Sequence, residues 1–344
     1  MQSGHEPISS ASYVQSVLIV FTLLAVMAFR PALGQGLNIK DLGTLPGGNV
    51  SQAMGISERG QVVGSSSTAS GNQHGFLFEN GVMTDLGTLP GGNGSAAYAF
   101  NDRGQAVGYS IPSLVPHACL FENGRVTDLG TLGGIASVAN GINNRGQIVG
   151  FSWINSWWHA FLYENGVMTD LGTLPGGNYS TAYGINERGQ VVGSSYTASG
   201  SQHAFLYENG VMIDLGTLSG GNSSTAYGIN ERGQVVGSSY TASGEQHAFL
   251  FERGVMTDLG TLPGGNSSTA YGINERGQVV GSSSTTAGGY QHAFLFEHGV
   301  MTDLGTLPGG NQSVAQGIND RGEIAGYSAP SNSAWHAVLW RRER

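Results

Sequence analysis

The sequence predicts an all-β fold: a seven-bladed β-propeller of four-stranded blades, closed by the N-terminal strand pairing with the C-terminal strand. Three observations predict it. First, one unit recurs seven times. Its opening Asp-Leu-Gly begins at Asp41, Asp85, Asp128, Asp170, Asp214, Asp258 and Asp303, at intervals of 44, 43, 42, 44, 44 and 45 residues, the period of a four-stranded propeller blade. Second, glycine supplies 57 of 344 residues. Each interior Gly costs a helix about 1 kcal/mol against Ala, which argues against helical repeats. Third, the two ends of the array are complementary. Residues 37–45 read as a last strand with no earlier strands before it, and residues 336–340 as a third strand with no fourth after it. Together they complete one blade, and a closed ring has no open sheet edge.

Within the unit 170–213 four strands follow in order: a, 182–186; b, 190–195; c, 203–208; d, 211–215. Strands a and b are joined by Glu187-Arg188-Gly189, which suits a type I turn with a G1 bulge. Strands c and d are joined by Asn209-Gly210, the strongest two-residue hairpin signal. Arg253-Gly254 and His298-Gly299 stand there in two other units and keep the Gly. Antiparallel order puts the a–b and c–d turns on one, tight face. The b–c loops and the Leu-Pro-Gly-Gly-Asn d–a loops fall on the other, wide face.

The 13-residue weakly polar-to-apolar run 17–29 suits the core of a signal peptide and is short for a membrane span, which needs about 20. Small residues at Ala32 and Gly34 place the first mature residue at Gln35. Residues 1–16 lack Lys and Arg and Arg30 follows the run, so an uncleaved anchor is the alternative. The domain expectation is a signal peptide over 1–34 and one propeller over 35–344, secreted or in the cell envelope and monomeric.

Composition excludes several classes. The net charge is −9, the single lysine is Lys40, and no basic stripe marks a nucleic-acid binder. Cys119 is the single cysteine and stands where other units carry Phe or Val, so it reads as core filler without an intramolecular disulfide. No zinc or calcium spacing, no phosphate-loop Lys-Ser/Thr and no Gly-x-Ser-x-Gly elbow occurs, so neither a metal nor a cofactor is expected. Asn-x-Ser recurs at Asn49, Asn93, Asn178, Asn222, Asn266 and Asn311. It would accept glycans in a eukaryotic secretory pathway and is otherwise an exposed polar turn.

The runs His203–Gly210 (His-Ala-Phe-Leu-Tyr-Glu-Asn-Gly), Asp214-Leu215-Gly216, Gly228-Ile229-Asn230 and Gly233-Gln234-Val235-Val236-Gly237 resemble the HAF-repeat family. These are extracellular, mostly bacterial repeat proteins named for His-Ala-Phe. The resemblance spans residues 37–340, with Gly75, Cys119 and Val338 as local departures. It implies secretion and repeat architecture, and no reaction.

Two sets of side chains are candidates for function. The repeated His (His74, His117, His159, His203, His247, His292, His336) share a sheet face with the repeated Asp. With Asn209-Gly210 as the loop, Phe205 faces Asp214 and His203 faces Gly216, so His203 and Asp214 are diagonal neighbours. Seven equal copies point to a structural bond made by a largely buried His, not to catalysis, which needs one singular constellation. The residues that break the repeat are Trp153, Trp157 and Trp158 in the third b–c loop and Trp335 in the last. They read either as surface cover or as a stacking platform on the wide face, suited to a neutral glycan or a protein surface. The expected function is a secreted, non-enzymatic binding or scaffold module. The rivals are a purely structural surface protein and, behind it, a polysaccharide-active propeller enzyme.

Overall fold

The computed structural model describes residues 36–285, 289–330 and 334–342. The expected signal peptide or anchor, 1–34, lies outside them. Among the described residues twenty-eight strands form seven four-stranded antiparallel sheets, each with strands in the order a-b-c-d. The first six blades span residues 51–85, 94–128, 137–172, 180–216, 224–258 and 268–303. The seventh joins 312–342 to the N-terminal strand. The strands a of neighbouring blades touch around the whole circle, so the architecture is a seven-bladed β-propeller about a central channel. Among the described residues no helix is long and apolar enough to cross a membrane.

The fourth blade shows how the unit folds. Its strands are Ser180–Ile185, Val191–Tyr196, Gln202–Glu208 and Val211–Gly216, within two residues of the expectation at every end. Gly189 N–H donates to Asn186 O at 3.0 Å and Gly189 has φ +81°, the turn with a G1 bulge. Asn209 and Gly210 have φ +52° and +81°, a type I′ hairpin. Arg253 and His298 accept the same positive φ, 53° each, at a steric cost that Asn carries more lightly.

Alternation along strand c explains the Ala-Phe pair. Ala204 packs with Leu215 against Ala226, Val235 and Phe249 of the next blade. Phe205, one residue on and on the opposite face, packs against Val149 and Ala160 of the preceding blade. Each seam is therefore a small core shared by two blades, and a fully buried Phe stabilises it by about 1.5–3 kcal/mol. Cys119 takes the Phe position in the second blade and is fully buried, and burial pushes its thiol up to about 12. Val338 takes it in the last blade, where the wholly buried Trp340 adds bulk to the same seam.

The ring closes as the end-matching predicts. Leu37–Asp41 pairs antiparallel with His336–Arg342, Ile39 opposite Trp340 and Asp41 opposite Val338. The N-terminal strand ends four residues earlier than 45. Asp41 Oδ1 accepts the Gly43 N–H at 2.8 Å, and Gly43 at φ +75° turns the chain toward the first blade.

Candidate functional site

Most of the repeated polar residues are spent on joining blades. In all seven units the N–H of the second tripeptide residue donates to a serine at the start of the next blade's strand a, at 2.8–2.9 Å. Ala204 to Ser224 and Ala337 to Ser51 are two of these bonds. That serine hydroxyl in turn donates to the carbonyl of the Asp-Leu-Gly glycine. A second serine, on strand b, accepts the N–H of the Leu in Gly-Thr-Leu at 2.9–3.0 Å, as Ser195 does from Leu174. The Asn-x-Ser pattern follows from this wiring: Ser51, Ser95, Ser180, Ser224, Ser268 and Ser313 are the serines that clip neighbouring blades. Close approach dictates the glycine before each Asn. A Cβ on Gly177 would lie 1.9 Å from Tyr196 O.

The His–Asp pairs form in every blade. Nδ1 meets an Asp Oδ2 at 2.7–2.9 Å in His74–Asp85, His117–Asp128, His159–Asp170, His203–Asp214, His247–Asp258, His292–Asp303 and His336–Asp41. Each Asp also accepts the N–H of the glycine two residues on at 2.7–2.8 Å. One detail differs from the sequence reading. A bulge opposes Ala204, not His203, to Gly216, because the Asx turn at Asp214 needs an extra residue on strand d. The imidazoles are 18–27% exposed, largely though not fully buried. The Asp303 hydrogen bond holds the His292 imidazole above its usual range, against the opposing effect of burial.

On the tight face the a–b turns link into a girdle. Asn101, Asn143, Asn186, Asn230 and Asn274 each donate Nδ2 to the carbonyl of the equivalent Asn one blade on, and Asn319 donates to Ser57 O, at 3.0–3.1 Å. The next residue's N–H donates to the following blade's side chain: Glu187 to Glu231, Glu231 to Glu275, Glu275 to Asp320 and Asp320 to Glu58. A ring of carboxylates thus rims the narrow end. Burial raises the Glu58 carboxyl above its ordinary range, and Asp320 and Asp102 add to the rise.

The channel itself is lined by a set of residues that sequence reasoning missed. In every blade a bulge interrupts the a–b ladder: the ladder skips the residue between Ala182 and Gly184, and its equivalents. The skipped residues are Met54, Tyr98, Asn140, Tyr183, Tyr227, Tyr271 and Gln316, and all seven line one cavity of about 460 Å³. A bulge re-aims one side chain out of the ladder, here toward the axis. The signal was present in the sequence: a position that varies between an invariant Ala and a Gly or Ala. Tyr183, Tyr227 and Tyr271 form a continuous arc with centroids 5.0 and 5.4 Å apart. Asn140 and Gln316 come from the blades at either end of it. Burial pushes the Tyr227 and Tyr271 phenols up, and Ser238 and Ser282 stand beside their hydroxyls.

The tryptophans belong to a second variable position. Gln73, Gln202, Gln246 and Gln291 precede the repeated His in four blades; Gln202 and Gln246 donate to Ser194 and Ser238 of strand b at 2.8 and 2.7 Å. In the third and last blades, where strand b carries an aromatic instead, Trp takes the Gln position; in the second, which carries Tyr109, Pro116 stands there. Trp158 meets Phe151 edge-on at 5.0 Å, and Trp335 meets Tyr327 at 5.1 Å. The third b–c connection is no long loop: strands Ile148–Ile154 and Trp157–Glu164 run up to a two-residue turn at Asn155-Ser156, both with positive φ. Trp153 therefore pairs with Trp158, centroids 5.1 Å apart, while Trp157 pairs with Ile154 on the other face and is 45% exposed. The structure brings Trp153 and Trp158 together and separates Trp157 from them. Phe151 lines the channel cavity as well as touching Trp158, so the aromatic pair is continuous with the channel.

No family model matches the chain, and no curated protein matches it. Among solved structures the chain is similar to a puromycin-hydrolysing peptidase of Mycobacterium tuberculosis, at 10% identity and a TM-score of 0.57, over 90% of this chain and 52% of that one. It is also similar to an acylaminoacyl peptidase of Pyrococcus horikoshii, at 9% identity and a TM-score of 0.54, over 86% and 52%. The chain spans about half the length of these peptidases. At such identities the likeness is one of fold.

Proposed function

We propose that this protein is a secreted, non-enzymatic propeller of the HAF-repeat kind that binds a neutral glycan or a protein surface from its wide face. One observation carries the reading. The repeated His, Asp, Ser and Asn side chains are occupied in bonds within and between blades, whereas side-chain variety concentrates at the channel and in the third blade's tryptophan hairpin. Binding usually lives on the variable parts of a rigid scaffold. The His–Asp pairs support no hydrolase, because seven equivalent pairs each spend the carboxylate on a glycine N–H as well. The apolar segment 17–29 supports export.

A screen of residues 35–344 against neutral glycans, cell-envelope polymers and envelope proteins tests the reading. A saturable ligand whose affinity drops when Trp153, Trp157 and Trp158 are all changed to Ala, in a variant that keeps the parent's melting curve, is the expected outcome for a hairpin platform. Turnover of any polysaccharide in the screen would replace the binding module with an enzyme.

A further inference from the structure

We propose that the channel cavity itself is a binding site for the end of a neutral glycan, entered from the wide face and gripped between the Tyr183–Tyr227–Tyr271 arc and the amides of Asn140 and Gln316. The proposal rests on the binding-module reading and gives it a site and a ligand class.

The cavity volume of about 460 Å³ falls within the roughly 300–1,000 Å³ of small-ligand sites. No lining residue is charged at neutral pH: tyrosine, methionine, asparagine, glutamine, valine and phenylalanine make up its wall. A charged saccharide would lose its hydration there without gaining a partner, so the ligand is neutral. The three tyrosine rings are tilted 53–54° to one another and present a curved apolar wall. Such a wall takes the C–H faces of a sugar ring at low side-chain entropy cost. The amides flanking it supply what an apolar wall lacks. Asn140 Nδ2 is committed to Ala182 O at 2.8 Å, which fixes the plane of its amide and leaves Oδ1 as an acceptor for a sugar hydroxyl.

The shape selects a chain end. Three cavities follow one another toward the tight face: about 460 Å³ among the bulge residues, about 210 Å³ beside the Gly-Ile pairs and about 140 Å³ at the tight-face acids. The Gly-Ile pairs hold neighbouring strands a close together: a Cβ on Gly184 would stand 2.9 Å from Tyr227 O of the next blade. A glycan entering from the wide face meets the roomiest of the three cavities with its terminal residue.

Residues 35–344 would be titrated with maltotriose, cellotriose, chitotriose and mannotriose by calorimetry and saturation-transfer NMR. At least one is expected to bind. Tyr227→Ala should weaken it tenfold or more, while Val211→Ala, exposed on the tight face and outside the cavity, leaves it unchanged. Because Tyr227 is largely buried, Met54→Trp provides a second variant, which fills the cavity from the opposite side and should also abolish binding with the melting curve retained. Binding that survives both channel variants but is lost in Trp153→Ala/Trp158→Ala overturns the channel site and leaves the binding module standing. Binding of indole in the channel with no response to any trisaccharide overturns the ligand class. Silence toward all four sugars and indole overturns the proposal, and the wider screen then decides the module by itself.

Discussion

His336 Nδ1 and Asp41 Oδ2 lie 2.8 Å apart although 295 residues separate them. The same pair forms within a single hairpin in the six other blades, so the last blade is assembled from both chain ends by the same local chemistry. Closing so long a loop costs conformational entropy that grows slowly with length. The cost is met by a full strand ladder, a serine clip from Ala337 to Ser51 at 2.8 Å and the burial of Trp340.

Removing residues 1–41 should therefore unfold more than its own strand. It uncovers Trp340 and leaves the last blade with an open edge. The expected result is a fall in Tm of about 10 °C or more, together with a red shift of tryptophan emission. Unchanged melting would show that the closure contributes nothing.

The tight-face girdle has one break. Among the described residues, Ser57 occupies the position of the six donating asparagines; its hydroxyl bonds Gln61 at 3.2 Å and caps the turn, but is too short to reach Asn101 O in the next blade. Asp102 Oδ1, beside this seam, is buried without a partner. Ser57→Asn should supply the missing donor and raise stability by about 0.5–1.5 kcal/mol, the net worth of one hydrogen bond. Urea denaturation measures it, and no gain, or a loss, rejects the girdle as a stabilising device.

Strands, turns and closure were legible because each has a short-range cause: alternation, Asn-Gly at the hairpin, glycine after the Arg of the a–b turn. The channel was not. Ala182-Tyr183-Gly184 alternates like any strand, and only the register shift against Gly193 and Val192 turns Tyr183 to the axis. A bulge of this kind depends on the partner strand, which no local pattern reveals. The tryptophans were legible as departures from the repeat. Their division into a packed pair, Trp153 and Trp158, and an exposed Trp157 depended on a two-residue turn at Asn155-Ser156, which lacks the glycine that announces such turns elsewhere. The His–Asp bond was legible from hairpin geometry, and the bulge that sets Ala204 rather than His203 opposite Gly216 was not, since it depends on the Asx turn at Asp214.

The His–Asp pairs should be structural, and His292 makes the test pH-dependent. Its pKa is raised above 6.5 by Asp303, so the folded state holds the proton more tightly than the unfolded chain. The stabilisation is present below pH 6.5 and is lost as pH rises through the higher folded value. His292→Ala should cost about 1 kcal/mol at pH 6, as a charge-assisted hydrogen bond at a partly exposed site, and less at pH 9. Equal costs at both values would remove charge from the explanation.

Glu58 gives the opposite slope. Its carboxyl is raised above 4.5 mainly by burial, with Asp320 and Asp102 adding repulsion against the Asp320 N–H bond and Arg321. The folded state thus favours the protonated acid. As pH climbs from 4.5 through the raised value, ionisation destabilises the fold, and the penalty persists at neutral pH. Glu58→Gln removes the charge while its Oε1 still accepts the Asp320 N–H, which lies 3.0 Å from Glu58 Oε1 in the parent. The variant should melt higher than the parent at pH 7, with the difference shrinking toward zero near pH 4. Thermal unfolding of both proteins across that interval decides it. A variant that melts lower at pH 7 would mean that Glu58 is held by an attraction stronger than its burial, and that the acidic rim stabilises the ring.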